Sequence, residues 1–375
     1  MKSSVFASLA GGVLLAGCAA GSGTPAATAA NGGTTRVYYV AADEVPWDYV
    51  PGGVDQISAQ PIKSIGYFKA GPKPVSTSYT KALYREYTDS TFQTLKPRPA
   101  EWAHLGFLGP VIRGVVGDTI KVYFRNNGHE PYSMHPHGVI YNKDSEGAVY
   151  NDGTAGADKA DDGVPPGGTH LYVWPVPERA GPAMGDMSSV IWMYHSHHDE
   201  VKDVNSGLMG PMIITARGKA RPDGSPADID REIVASFMQV HEEDSWLAMK
   251  NIGENFKTVT PPPPGLSQNF YPYFVKFSIN GFTHGAGPEN MFSMKKGQHV
   301  RWYVFSSTND FDAHAPHWHG NTLVINHMRT DVASLNPMEM IVGDMVPDNV
   351  GTWLFHCHIS FHNTEGMQAR YVVTN

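Results

Sequence analysis

The sequence predicts an all-β protein built from two β-sandwich domains. Charged residues make up only 17% of the chain, while Gly (39) and Pro (28) are abundant. Short β-branched and aromatic runs at 36–40, 119–124, 171–174 and 300–305 lie close to turn residues, and no long helical period appears. A length of 375 residues is generous for one domain and sufficient for two cores. The first domain is expected over 35–217, a Gly/Pro/Asp-rich linker over 218–230, and the second domain over 231–375, with a further loop at 261–265.

Residues 1–18 read as a secretory or lipoprotein signal. Lys2 supplies the positive start, residues 5–15 form a short apolar run, and the segment ends Leu15-Ala16-Gly17-Cys18, with Cys18 placed for acylation as a lipid anchor. Residues 19–34 are Gly, Ala, Ser, Thr and Asn with a single Pro, the composition of a flexible tether. A secreted or periplasmic, lipid-anchored protein is therefore expected. The net charge of -8, without a basic run, argues against a nucleic-acid partner.

The chain repeats itself. Gly117-Asp-Thr-Ile-Lys-Val-Tyr-Phe leads to His135-Pro-His-Gly, and Gly297-Gln-His-Val-Arg-Trp-Tyr-Val-Phe leads to His317-Trp-His-Gly. Tyr194-His-Ser-His in the first half is answered by Phe355-His-Cys-His in the second. Two copies of one sandwich with chemistry at matching positions is the economical reading.

Of the 18 histidines, ten fall in four clusters: His135 and His137; His195 and His197; His314, His317 and His319; and His356, His358 and His362 around Cys357, with Met367 following. Imidazole suits copper, and thiolate with thioether selects it further. On a strand, Cys357 points to one face and His356 and His358 to the other. His314, Cys357 and His362, with Met367 as a weak axial ligand, make the donor set of a blue copper electron-transfer site. The other eight imidazoles suffice for three coppers, and four coppers per chain can together store the four electrons that dioxygen needs to become water. A closed zinc site needs fewer histidines, and a Cys-His hydrolase needs no such surplus.

With these motifs, residues 36–375 resemble the multicopper oxidases, in particular the two-domain (small) bacterial laccases. Ceruloplasmin-like runs occur at 38–49, 87–92, 105–110 and 206–211. The resemblance implies two cupredoxin-like Greek-key sandwiches. It implies a type 1 copper on His314, Cys357, His362 and Met367 and a type 2 copper on His135 and His317. One type 3 copper would lie on His137, His195 and His358, the other on His197, His319 and His356. In the first half, Ser196 stands in place of Cys357 and Tyr132 in place of His314, so only the second domain is expected to hold a type 1 copper. The small laccases share their clusters between neighbouring subunits, which implies a homotrimer. Tyr141 and Asp152 match positions near the cluster, where a tyrosine can supply an electron and an acid can relay protons.

The expected reaction is oxidation of a small reducing substrate coupled to reduction of O2 to water. The laccase resemblance favours phenolic and aromatic reductants. The alternative is a metal-ion oxidase acting on Fe(II), Cu(I) or Mn(II), since Glu242, Glu243 and Asp244 resemble an acidic ceruloplasmin segment. Phe361, however, stands where ceruloplasmin has an aspartate. A copper nitrite reductase or a copper carrier would have no use for the full set of eight cluster histidines.

Overall fold

The computed structural model describes residues 33–69, 75–255, 271–307 and 312–375. The leader with Cys18, nearly all of the tether and the 261–265 loop lie outside the described residues.

Among the described residues four sheets are present. The first joins β1 (Thr35–Asp48), β2 (Ser78–Glu86), β4 (Thr119–Asn126) and β6 (Thr169–Pro175) in the order β2-β1-β4-β6. The second joins β3 (Ile112–Val115), β5 (His135–Pro136), β7 (Ser189–His195) and β8 (Met209–Thr215) in the order β3-β8-β7-β5. In the later half, β9 (Arg231–His241), β10 (Val275–Ile279), β12 (Val300–Ser306), β14 (Leu323–Ile325), β15 (Met328–Thr330) and β16 (Met340–Met345) form one sheet, β10-β9-β12-β16-β14-β15. β11 (Phe292–Lys295), β13 (Pro316–Trp318), β17 (Gly351–Cys357) and β18 (Gln368–Thr374) form the other, β11-β18-β17-β13. The two halves match strand for strand, with β1 parallel to β4 as β9 is to β12, and β14 and β15 extending the later sheet. This is the all-β, cupredoxin-like architecture expected, and the sequence repeat is a repeat of topology.

β4 shows why these segments become strands. Ile120, Val122 and Phe124 alternate inward while Lys121, Tyr123 and Arg125 stay partly exposed, the pattern of a half-buried strand. β12 breaks that rule, since all seven of its residues are buried. Its Trp302 and Val304, with Ile233, Ala235 and Phe237 of β9, face the core of the later half. Tyr303 and Phe305, with Val234, Met238 and Val240 of β9, face a second core shared with Leu105, Phe107, Ile191 and Met193 of the first half. Both faces of these strands are dry, so they read as continuous apolar runs.

Polar ties reinforce this shared core. Arg113 of β3 forms a two-pronged ion pair with Glu232 of β9 at 3.1 and 2.7 Å. Lys81 of β2 and Glu242 form a fully buried salt bridge at 2.9 Å, with the Tyr49 hydroxyl donating to the same Glu242 oxygen at 2.5 Å. The 218–230 stretch is an ordered turn rather than a loose connector. The Arg221 guanidinium donates to the carbonyls of Pro226, Ala227 and Ile229. Among the described residues no helix is long and apolar enough to cross a membrane.

His104 sits at this seam. Its Nε2 accepts the Val234 backbone N–H at 3.0 Å, which requires the neutral ring. Burial, with help from the nearby Arg231, pushes its pKa down to about 3. The unfolded chain binds a proton here below about pH 6.5 and the folded chain does not, so this contribution to stability is complete above about pH 6.5. It is lost as pH falls toward 3, by about 1.4 kcal/mol per pH unit. Denaturation midpoints across that window should fall less steeply for His104→Gln than for the wild type. Identical acid slopes would show that His104 carries none of the effect.

Candidate metal centre

β13 and β17 lie antiparallel, with Pro316 opposite Cys357 and His317 opposite His356. Because side chains alternate, Cys357 turns toward His314 and His362. His314 Nδ1 lies 3.3 Å from His362 Nδ1, and Cys357 Sγ lies 3.5 Å from His362 Nδ1. All three residues are buried, and their donor atoms fall within 4.8 Å of one another. Met367 is fully buried in the core cluster that contains Cys357, and its carbonyl accepts the Cys357 N–H at 3.0 Å. The Ala315 N–H points at the Cys357 sulfur from 3.3 Å.

On the opposite face, His356 Nε2 lies 3.2 Å from His317 Nδ1 and 3.0 Å from His319 Nε2. His358 stands at the exposed rim, its ring centre 5.0 Å from that of His317. The first half repeats this arrangement. β5 and β7 pair His135 with His195, and His137 Nε2 lies 3.1 Å from His195 Nε2. His197 completes the set, 5.2 Å from His135 and 5.5 Å from His195 between ring centres. Backbone carbonyls fix three of these rings through Nδ1: Glu146 for His135, Ser196 for His195 and Cys357 for His356. A locked tautomer of this kind leaves Nε2 free to ligate.

Burial, then neighbouring imidazoles, push His137 and His356 down to about 4 and His195 well below the ordinary value. These three rings are thus held neutral, the form that binds a metal. His362 differs. Burial pulls it down, but hydrogen bonds to Asp312 and Cys357 outweigh this and raise it to about 9. Convergent imidazoles with one thiol, and clustered imidazoles beside them, fit copper by donor chemistry.

The structure brings together His135, His137, His195 and His197 as one set and His317, His319, His356 and His358 as another. Among the described residues, no hydrogen bond or ring contact joins a histidine of one set to the other within the chain. Tyr141 lies beside the first set, its ring 5.8 Å from His135. Asp152 is engaged elsewhere, paired with Lys143 at 3.1 Å and Lys159 at 2.8 Å. Lys159 and the Thr154 N–H hold its carboxyl well below the usual carboxylate range.

Three acids that contact the histidines were not singled out from the sequence. Asp312 Oδ2 lies 3.0 Å from His362 Nε2, Glu200 Oε2 3.5 Å from His197 Nε2, and Asp331 Oδ2 3.8 Å from His317 Nε2. Asp312 lies two residues before His314, but its partner is His362, 50 residues away.

Where Cys357 faces two imidazoles, Ser196 faces a carboxylate. Its hydroxyl donates to Asp203 Oδ2 at 2.7 Å and accepts the Ser133 N–H at 2.9 Å. Tyr132, in the place of His314, is fully buried. No donor set like that around Cys357 forms here.

Comparison with known proteins identifies the family. Multicopper oxidase family models match residues 86–219 and 259–375. The chain is 39% identical over 352 residues to the human ferroxidase HEPHL1, 39% over 351 to human hephaestin and 36% over 350 to human ceruloplasmin. These alignments take in 92%, 91% and 90% of this chain but 30%, 29% and 32% of those proteins, so it spans about a third of their length. Among solved structures, the multicopper oxidase mgLAC superposes with a TM-score of 0.58 at 17% identity, over 91% of this chain and 86% of that one. The blue copper oxidase of Nitrosomonas europaea gives 0.56 at 17% identity with the same coverage. Those structures speak to the fold, and the two family models, which between them span most of both halves, to the family. The chain belongs to the multicopper oxidases, a family of copper-dependent oxidoreductases.

Proposed function

We propose that the chain is the subunit of a metal-ion oxidase that takes electrons from a low-valent cation such as Fe(II) and passes them to O2. His314, Cys357, His362 and Met367 would hold a type 1 copper, and His135 and His317 a type 2 copper. His137, His195 and His358 would hold one type 3 copper, and His197, His319 and His356 the other, four coppers per chain in all. Copper bound at these residues supplies one-electron transfer at Cys357 and the four-electron reduction of dioxygen to water at the eight histidines.

The observation that carries the choice of reductant is Asp312, whose carboxylate sits 3.0 Å from His362 Nε2, the ring edge that faces away from Cys357. A cation held by Asp312 lies one hydrogen bond from the imidazole, whereas a neutral phenol gains little from that charge. The carboxylate that Phe361 does not supply is thus supplied from the β12–β13 connection. The similarity to ferroxidases supports the same reading. His241, Glu243 and Asp244, with donor atoms within 4.8 Å of one another, form another acidic set suited to a cation. An aromatic reductant remains the second reading, because Phe361 is 46% exposed and packs with Phe277 against His362.

The two separate histidine sets support sharing between subunits. One subunit's His135, His137, His195 and His197 would meet the neighbour's His317, His319, His356 and His358, closing a ring. The ferroxidase relative is about three times as long as the stretch it shares with this chain, which suits a homotrimer. Tyr141 beside His135 is placed to supply an electron. Asp152 is held too low to store a proton at neutral pH, so a relay through it would run by way of Lys143 and Lys159. The leader reading adds an extracytoplasmic location, anchored through Cys18.

Steady-state rates with Fe(II) and with a phenol should favour Fe(II). In Asp312→Asn the ratio of the two kcat/KM values should fall by about tenfold, equivalent to about 1.4 kcal/mol. A protein that oxidises only the phenol would sink the metal-ion reading. Cys357→Ser should lose the blue thiolate band while still loading copper at the histidine sets, and Ser196→Cys should add no second blue band. Copper content and size in solution should give four coppers per chain in a trimer. A monomer carrying the full complement would refute the shared sets.

A further inference from the structure

The first half lacks the donor set that ties Cys357 down in the second, yet it must hold His195 and His197 just as firmly. We propose that Asp203 is the positioning residue that does this, through hydrogen bonds alone. The proposal rests on the reading of the eight histidines as copper ligands.

Asp203 is fully buried in the short helix Glu200–Ser206 that follows the His195-Ser196-His197 motif. Its Oδ2 accepts three hydrogen bonds: Ser196 Oγ at 2.7 Å, His198 N at 2.9 Å and Asp199 N at 3.0 Å. Its Oδ1 accepts Trp246 Nε1 at 2.8 Å. Four donors therefore converge on one dry carboxyl, and among the described residues no lysine or arginine forms an ion pair with it. An arrangement this demanding specifies geometry, because any shift leaves buried donors unpaired.

The network leads from Asp203 to the histidines. Ser196 Oγ, held by Asp203, accepts the Ser133 N–H, as Cys357 Sγ accepts the Ala315 N–H at the matching position. Ser133 Oγ in turn accepts the His197 N–H at 3.0 Å and donates to the Gly147 carbonyl at 2.6 Å. The neighbouring Glu146 carbonyl fixes His135 Nδ1 at 2.7 Å. A single chain of contacts thus runs from Asp203 through Ser196 and Ser133 to His197, and by way of the 146–147 turn to His135. Asp203 gives Ser196 the partner that His314 and His362 give Cys357.

The test uses the full-length protein as wild type, Asp203→Asn and Ser196→Ala. Cupric ion is titrated into each apoprotein, followed by the blue thiolate band, by the paramagnetic signal of the non-blue copper and by total bound copper. In Asp203→Asn, an amide group replaces one of the two acceptor oxygens. Ser196→Ala removes only the hydroxyl link. Both should bind copper at the histidine sets about 10- to 100-fold more weakly while the blue band stays at its wild-type intensity. A purely structural role would lower both signals together, in step with the melting temperature of the apoprotein, and that result would overturn the proposal. So would wild-type copper binding in Ser196→Ala, which decides the matter even if Asp203→Asn fails to fold. A wild-type protein without a blue band would instead refute the copper assignment itself.

Discussion

The ladder between β13 and β17 sets His317 opposite His356 while turning Cys357 to the other face of the same strand. One peptide unit on either side separates the buried thiol from the flanking imidazoles of His356 and His358. The two-residue period of a strand is thereby used as wiring, since it places two chemically different environments a few bonds apart. Packing holds the ladder rigid. Phe355, Trp318 and Trp302 pack against one another beneath it in tilted and edge-to-face contacts, with ring centres 5.0 to 5.7 Å apart.

The same economy shapes the union of the halves. β9 and β12 each serve two cores, one inside the later half and one between the halves. The buried Lys81–Glu242 pair crosses the same seam, and removing one partner of such a pair typically costs about 3–5 kcal/mol. Glu242 also opens the acidic turn whose Trp246 reaches Asp203. The ring held by Ser196, the helix after it and the acidic turn of the other half therefore form one connected body.

Much of this was legible in the sequence because it is local. Alternation in β4, the paired His-x-His motifs and the exchange of Cys357 for Ser196 are all patterns within a few residues. The internal repeat then showed which residues lie at matching places. What could not be read were partners brought together over long separations. Trp246 meets Asp203 across 43 residues, and Asp312 meets His362 across 50. The fully buried strand β12 and the buried middle of β9 likewise lack the alternation that would reveal their second, inter-half face. Asp152 shows the converse. Its Asn-Asp-Gly turn is a strong local signal, and the fold spends the carboxylate on two lysines that no local pattern points to.

The clustered histidines also differ in depth, His195 and His356 being buried with the residues around Cys357. His314, Cys357 and His362 are buried, whereas His358 is exposed and His137, His197, His317 and His319 are partly so. The exposed and partly exposed imidazoles are therefore open to whichever divalent ion arrives first. Nickel and zinc also bind such nitrogen donors, though less tightly than copper, so these side chains are open to mis-metallation wherever copper is scarce. Which ion these sites hold then depends on which metals the protein meets, and in what order, as much as on its own donor atoms.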